Sequence, residues 1–143
     1  MIDSVFIDSD VILDFFINRE PYADFASEIF SLCETNELHG YTSVVIISNV
    51  YYLLNRLSDH KTVIQKLNLL LTIIEIVEVK KEIILIALNS KFRDFEDALQ
   101  NYSAENDPNI SIILTRNLKD YKHSSLAVLT PEMYIDGKHS SRK

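Results

Sequence analysis

Acidic and amide side chains that follow apolar runs are the residues of this sequence best suited to chemistry. Asp8 directly follows the β-branched and aromatic run Val5-Phe6-Ile7, and Asn117 and Asp120 follow the apolar run Ser111 to Leu114. Carboxylates that converge repel one another unless a cation neutralises them or some are protonated. Mg²⁺ prefers such oxygen ligands and is usually held by one or two carboxylates and a substrate phosphate. The pattern therefore favours metal-dependent phosphate chemistry.

A parallel sheet is the element that would bring these side chains together. Helical patterns separate four strand-like runs, which are Val5–Ile7, Ile74–Val79, Ser111–Leu114 and Leu126–Leu129. Alternation of this kind predicts a three-layer α/β/α sandwich around a central parallel sheet of about four to five strands. Ligand sites in such sheets lie beyond the carboxyl ends of the strands, where Asp8 and Asp120 would stand. Asp94 and Asp97 open the helix before the third run, near the same edge.

The length of 143 residues fits one domain spanning residues 1–143, with residues 138–143 as a frayed basic tail. The single cysteine, Cys33, excludes a disulfide framework and fits a reducing cytoplasm. The N-terminus lacks the pattern of a secretory signal, and the apolar stretch Leu67–Ile76 is too short to span a membrane. We therefore expect a cytoplasmic protein without a membrane segment.

The net charge of −7 comes from 21 acidic against 14 basic residues. Such an excess ordinarily argues against a protein that binds nucleic acid through a basic face. The same excess is expected if carboxylates are gathered around a metal ion.

Simpler interpretations exist for several of the acids. Asp10 could be the N-cap of a helix beginning at Val11, and Asp94 with Asp97 fits a capping-box-like pair. Asp97 could also be solvated, on spacing alone. Asp8 is harder to explain in this way, because an acid directly after a buried strand must be hydrogen-bonded, paired or liganded.

Three segments carry a family resemblance. The segment from Val5 to Asp14, the segment Phe95-Glu96-Asp97-Ala98 and the segment from Ile112 to Tyr121 occur in the order of three motifs. They resemble the first, third and fourth motifs of the PIN-domain ribonucleases, which include toxins similar to virulence-associated protein C. The resemblance covers most of the chain.

The resemblance implies an Mg²⁺- or Mn²⁺-dependent endoribonuclease in which a metal-activated water hydrolyses RNA. It assigns the metal to Asp8, Asp97 and Asp120, with Asp94 as a further candidate ligand. The supporting residues it implies are Asp10, Thr115 and Asn117. The candidates for contact with RNA phosphates are Arg116, Lys119, Lys122 and His123, and a merely solvated basic turn is the alternative for these four.

One position departs from the family pattern. The family places a glutamate in the helix after the second strand, where this chain has Asn49. An amide oxygen can still bind a divalent ion or a metal-bound water, so Asn49 remains a candidate catalytic residue. Two alternatives stay open: a catalytically degenerate PIN scaffold that binds RNA or a protein partner, and an Asn49 that is a buried amide bonded to helix backbone.

Two further expectations concern binding partners and a resemblance to a second family. Apolar helix positions such as Phe15, Phe16 and Tyr52 either exceed what one small core buries and belong to an interface, or simply pack in the core. The family resemblance implies a homodimer and an antitoxin protein. The segment Asp8-Ser9-Asp10-Val11 also resembles the start of haloacid-dehalogenase-like phosphatases. Val11 and Ile12, the two residues after the second acid, depart from that family's pattern.

Overall fold

The computed structural model describes residues 1–141, in which strands and helices alternate. The strands are β1 (Ser4–Ile7), β2 (His39–Thr42), β3 (Ile74–Ile76), β4 (Ile112–Leu114) and β5 (Ala127–Leu129). The helices are α1 (Ser9–Phe16), α2 (Ala23–Glu34), α3 (Val44–Asn55), α4 (His60–Leu70), α5 (Lys81–Leu88), α6 (Phe95–Asn106) and α7 (Pro131–Ser141), with a 3-10 helix over Leu118–Tyr121. Within residues 1–141, no helix is both long and apolar enough to cross a membrane.

The five strands form one parallel sheet in the order β3-β2-β1-β4-β5. This arrangement confirms the predicted α/β fold with a central parallel sheet. Val5, Phe6 and Ile7 of the central strand β1 are each 0% exposed. Because successive side chains of a strand point to opposite faces, both faces of the sheet are covered.

The pairing of β1 with β4 sets the geometry of the carboxyl edge. Ile7 is paired with Leu114, and the Asp8 amide donates to the Leu114 carbonyl at 3.0 Å. Asp8 and Thr115, the residues that follow the two strands, therefore lie side by side. The order of the strands also changes direction here, since β2 lies on one side of β1 and β4 on the other. Ligand sites of open α/β sheets form at such a position.

Strand β2 was not predicted, because the sequence analysis places no strand-like run between residues 34 and 43. His39-Gly40-Tyr41-Thr42 lacks an apolar run, and its pairing with β1 and β3 makes it a strand. A Cβ atom on Gly40 would lie 2.8 Å from Ile74 Cγ2 and 2.9 Å from Cys33 Sγ. Glycine is thus required here by close packing.

Two predicted boundaries need correction. Strand β3 ends at Ile76, so the predicted run to Val79 is too long. Helix α7 continues to Ser141, so the tail predicted from residue 138 is helical at residues 138–141. Lys138 Nζ lies 5.9 Å from the centre of the Tyr134 ring, and His139 Nε2 lies 3.6 Å from Glu28 Oε2. Residues 142 and 143 of the predicted tail lie outside the described residues.

Candidate active site at the carboxyl edge of the sheet

Asp8 ends β1 and is held by hydrogen bonds on both carboxylate oxygens. It is 9% exposed and occupies the N-cap position of α1, where Oδ1 accepts from the Ser9 amide at 2.8 Å. Its Oδ2 accepts from Thr115 Oγ1 at 2.9 Å and from the Tyr121 hydroxyl at 3.2 Å. Burial raises the pKa of Asp8, while these hydrogen bonds oppose the rise. Of the three alternatives for an acid after a buried strand, which are hydrogen-bonded, paired or liganded, the structure shows the hydrogen bonds.

Asp10 lies in the first turn of α1, so the interpretation of Asp10 as the N-cap is wrong. Its Oδ2 accepts from the Arg116 amide at 2.9 Å and from Asn117 Nδ2 at 3.4 Å. Its Oδ1 is buried and accepts no hydrogen bond from the described residues. Burial, followed by the charge of Asp8, raises the pKa of Asp10 to about 6.

Thr115 connects the two acids of the first motif. Its side chain is fully buried, and Oγ1 lies 2.9 Å from Asp8 Oδ2 and 3.3 Å from Asp10 Oδ2. A hydroxyl carries one proton, so the shorter contact with Asp8 is the better hydrogen bond. The Asn117 amide donates to the same Oγ1 at 3.1 Å, which fixes the hydroxyl. Thr115 thus orients Asp8, in the supporting position predicted for it.

Asp94 and Asp97 open α6, with different environments. Asp94 is the N-cap, and its Oδ1 accepts from the Asp97 amide at 2.9 Å, so the capping interpretation is confirmed for Asp94. Asp97 is half-buried. Burial and the charges of Asp94, Asp120 and Asp8, in that order, raise the pKa of Asp97 to about 7. Asp97 lines a cavity together with Asp94 and Asp120, so it is neither fully buried nor isolated from the other acids.

A cavity of about 460 Å³ opens beside Asp97 and Asp120. It is lined by both signs of charge and by one apolar ring: Phe92, Arg93, Asp94, Asp97, Lys119, Asp120, Lys122 and His123. Asp120 is exposed on the 3-10 helix. Arg93 was missed by the sequence analysis, because it follows α5 in a loop and belongs to none of the three motifs. The cavity can thus hold an anion near cations and a cation near carboxylates.

The Arg116 side chain does not line this cavity. Its Nε lies 2.6 Å from Asp14 Oδ2 and its Nη2 lies 3.0 Å from Asp14 Oδ1, while Lys119 lines the cavity. The structure therefore separates two residues that the sequence analysis had grouped as candidates for RNA phosphates. Asp14 was also missed, since a contact spanning 102 residues leaves no signal in local spacing.

Asn49 lies in α3, facing α6. Ser43 caps α3 and donates from Oγ to Gln100 Oε1 of α6 at 2.6 Å, which ties the two helices together. Asn49 Nδ2 then donates to Glu96 Oε1 at 2.7 Å. The amide thus bonds a carboxylate of another helix, and the alternative of a buried amide bonded to helix backbone is wrong. Glu96 adds to the charges that raise the pKa of Asp97.

The acids are near one another without forming a compact ligand set. Among residues 1–141, no group of three or more His, Cys, Asp or Glu side chains is arranged to hold a metal ion on its own. After burial, the charge of Asp120 contributes to the raised pKa of both Asp8 and Asp97, and the charge of Asp8 contributes to that of Asp97.

Comparison with known proteins decides the family. A family model described as PIN domain matches residues 4–119, which include β1, α6 and β4. The chain belongs to the PIN-domain family. Ribonuclease VapC1 from Aquifex aeolicus (strain VF5) is 30% identical over 139 residues, covering 94% of each protein. This membership sets aside the haloacid-dehalogenase alternative.

Solved structures show the same PIN fold at low sequence identity. A toxin–antitoxin complex from Klebsiella pneumoniae matches with a TM-score of 0.65 at 20% identity, covering 89% of this chain and 97% of that chain. VapBC2 from Rickettsia felis, bound to a DNA fragment from its promoter, matches with a TM-score of 0.62 at 14% identity. That match covers 88% of this chain and 96% of the other. At such identities the likeness concerns the fold alone.

Proposed function

We propose that this PIN-domain chain is an Mg²⁺- or Mn²⁺-dependent endoribonuclease and the toxin of a toxin–antitoxin pair. The observation that carries the proposal is the cavity at the carboxyl edge, where Asp97 and Asp120 lie with Arg93, Lys119 and Lys122. A phosphodiester in this cavity would have cations for its charge and carboxylates beside it. The relative from Aquifex aeolicus, named a ribonuclease, supports the same reaction.

The residues present fit a hard divalent ion. The donors are carboxylate oxygens, and burial together with the charges of Asp94, Asp120 and Asp8 raises the pKa of Asp97 to about 7, so a cation would offset part of this cost. Mg²⁺ needs only one or two protein carboxylates when waters and phosphate complete its shell, so a compact three-acid set is not required. Asp8, Asp97 and Asp120 are the residues that would hold it. When bound, such an ion lowers the pKa of a water and offsets charge on the scissile phosphate.

The chain's own side chains provide orientation and binding. Thr115 and Tyr121 hold the Asp8 carboxylate in one direction, so its geometry is fixed before substrate arrives. Lys119 and Lys122 line the cavity and would bind RNA phosphates. Bound cations at the carboxylates would invert the local sign of charge, which reconciles an acidic protein with an RNA substrate.

The test is RNA cleavage by purified protein with MnCl₂, against the same protein in EDTA and an Asp8→Asn variant in MnCl₂. We expect cleavage by the unmodified protein with Mn²⁺, and none in EDTA or by Asp8→Asn. Asp24→Asn, which alters an exposed acid of α2, is the matched control and should retain activity. Equal cleavage by Asp8→Asn, or no cleavage of any RNA by the unmodified protein, would contradict the proposal.

A catalytically degenerate scaffold that binds RNA or a protein is the second candidate function. The specific observation is Asn49, whose amide is occupied by Glu96 and which adds no negative charge to the site. If Asn49→Glu binds Mn²⁺ at least tenfold more tightly and gains cleavage that the unmodified chain lacks, the degenerate scaffold is favoured. If the unmodified chain already cleaves RNA, the degenerate scaffold is excluded.

We infer an antitoxin partner and a homodimer in the cytoplasm. The Klebsiella pneumoniae neighbour is a toxin–antitoxin complex, which supports the antitoxin. Helix α5 exposes four large apolar side chains, between 40% and 60% each: Ile84, Leu85, Ile86 and Leu88. Apolar surface of this kind is typical of an interface. Light scattering of the purified chain measures the homodimer, and a monomer across the micromolar range would contradict it.

A further inference from the structure

Asp14 is a buried charge that the proposed function does not use. It lies in α1 and is 1% exposed. Both of its oxygens are paired with the Arg116 guanidinium, Oδ2 with Nε at 2.6 Å and Oδ1 with Nη2 at 3.0 Å. Arg19 Nη1 also lies 3.4 Å from Oδ1, on a side chain that is 42% exposed. A bidentate pair of this kind fixes the direction of both side chains.

The Arg116 guanidinium is held from a second side as well. Its Cζ atom lies 3.9 Å from the centre of the Tyr22 ring, which is within the range of a cation–π contact. The side chain is therefore fastened between α1 and the segment before α2. Its two contacts leave it outside the cavity that Lys119 and Asp120 line.

The backbone around Arg116 contacts the acids at the end of β1. The Arg116 amide donates to Asp10 Oδ2 at 2.9 Å, and the preceding residue, Thr115, donates to Asp8 Oδ2 at 2.9 Å. The following residue, Asn117, donates from Nδ2 to Asp10 at 3.4 Å. One short loop thus carries three donors to two carboxylates, and its middle residue is anchored through its side chain to Asp14.

We propose that Arg116 is a positioning residue: its pairing with Asp14 holds the loop of residues 115–117 in the register that directs Asp8 and Asp10. Asp14 lies four residues after Asp10 on α1, about one helical turn away. Asp10 and Asp14 therefore belong to one helix, of which Asp8 is the N-cap, so the loop is fixed relative to the acids themselves. This role rests on the proposed function for its effect on catalysis, and on the contacts alone for its effect on the loop.

Two variants of Arg116, one that changes its charge and one that changes only its geometry, test the proposal. Arg116→Met removes the charge and the paired donors, and Arg116→Lys keeps the charge but cannot make the bidentate contact. Arg19→Met is the matched control, because it removes a cation from the same carboxylate without touching the loop. Asp14→Asn, made in parallel, removes the other partner of the pair.

The first readout is hydrogen exchange of the amide at position 116, compared with the Asp8 amide, which donates to Leu114 in the sheet. General destabilisation lowers the protection of both amides alike. We expect Arg116→Met and Asp14→Asn to lower protection at position 116 at least tenfold more than at Asp8. Arg19→Met should change the ratio of these two protections less than twofold. The effect of Arg116→Lys should lie between those of Arg116→Met and Arg19→Met.

The second readout is Mn²⁺ affinity together with kcat and KM for RNA cleavage. We expect Arg116→Met to weaken Mn²⁺ binding and to lower kcat, each about tenfold, with KM changed less than threefold. A raised KM with unchanged kcat and unchanged exchange would show that Arg116 binds RNA instead, and would overturn the proposal. If Arg116→Met does not fold, Arg116→Lys is measured in its place.

The two proposals fail in different ways. Absence of Mn²⁺ binding and cleavage in the unmodified protein would contradict the proposed function, while the exchange ratio would still decide whether Arg116 holds the loop. An unchanged exchange ratio in an active enzyme would overturn the positioning role alone.

Discussion

Asp97→Asn should make the metal-free protein more stable, although it removes a carboxylate from the proposed active site. The pKa of Asp97 is about 7 against an ordinary 3.8, chiefly because of burial and the charge of Asp94. Each pH unit corresponds to about 1.4 kcal/mol, so full burial would imply roughly 4 kcal/mol. Because Asp97 is only half-buried, screening by solvent reduces the expected gain to about 1 kcal/mol at pH 8.

The sign of the pH dependence follows from the raised pKa. In the folded state Asp97 keeps its proton up to about pH 7, whereas the unfolded chain loses it near 3.8. The contribution of Asp97 is therefore most favourable at low pH and declines as the pH rises through this window. The advantage of Asp97→Asn should be absent below pH 4, grow between pH 4 and pH 7, and stay constant above pH 7.

A divalent ion should reverse the order of stability. Binding to the folded state at one hundred times the dissociation constant adds about 2.7 kcal/mol. The unmodified protein should gain this in MnCl₂, because the ion offsets the crowded carboxylates. Asp97→Asn should gain much less, since one of the proposed ligands has lost its charge.

The assay is urea unfolding at pH 5 and pH 8, in EDTA and in MnCl₂. Asp24→Asn is the matched control, because Asp24 is an exposed acid in the first turn of α2 and its loss reports the helix-dipole effect alone, about 0.5 kcal/mol. If Asp97→Asn is destabilised as much as Asp24→Asn in EDTA, with no difference between pH 5 and pH 8, the crowding of charge at Asp97 is refuted.

Three further outcomes follow from the packing. Gly40→Ala should lower stability by about 1–3 kcal/mol, because its Cβ would stand 2.8 Å from Ile74 Cγ2; the urea midpoint measures this, and an unchanged midpoint would contradict the contact. Cys33 is buried, which raises its thiol pKa to about 12, so iodoacetamide at pH 8 should react at least about a thousandfold more slowly than in urea; equal rates would disprove its burial. Thr115→Val removes a donor to Asp8 and should cost about 1 kcal/mol and lower kcat, with Thr115→Ser retaining both.

The strands and helices that could be predicted from the sequence are those with a signal in their own residues, such as an apolar run or a capping side chain. Strand β1 contains the continuous apolar run Val5–Ile7, which is buried on both faces, and helix α6 begins at Phe95 after the side-chain cap of Asp94. Both signals are local, so no knowledge of the fold is needed. Strand β2 depends instead on its neighbours, because Gly40 weakens an isolated strand and becomes favourable only where Ile74 and Cys33 pack against it. Tertiary packing overrides local propensity at this position.

The residues of the candidate site also fall into those with a local sequence signal and those without one. Asp8 is indicated by its place directly after a buried strand, whereas Asp97 is indicated by the family resemblance, because its spacing alone leaves a solvated position open. Arg116 could not be placed, because its partner Asp14 is 102 residues away and only the folded chain brings them together. From composition alone, Arg116 would be a cation available to RNA phosphates, but in the structure its guanidinium pairs with Asp14.

The cations beside the acids are instead Arg93, Lys119 and Lys122, which the loop after α5 and the segment around the 3-10 helix bring to one cavity. The net charge of −7 therefore says little about an RNA partner. Interactions between charges fall off within about 10 Å at ordinary salt, so the local arrangement determines what the site attracts. At this edge burial and the charges of Asp94, Asp120 and Asp8 raise the pKa of Asp97, and a bound cation would offset the crowded negative charge and attract phosphate.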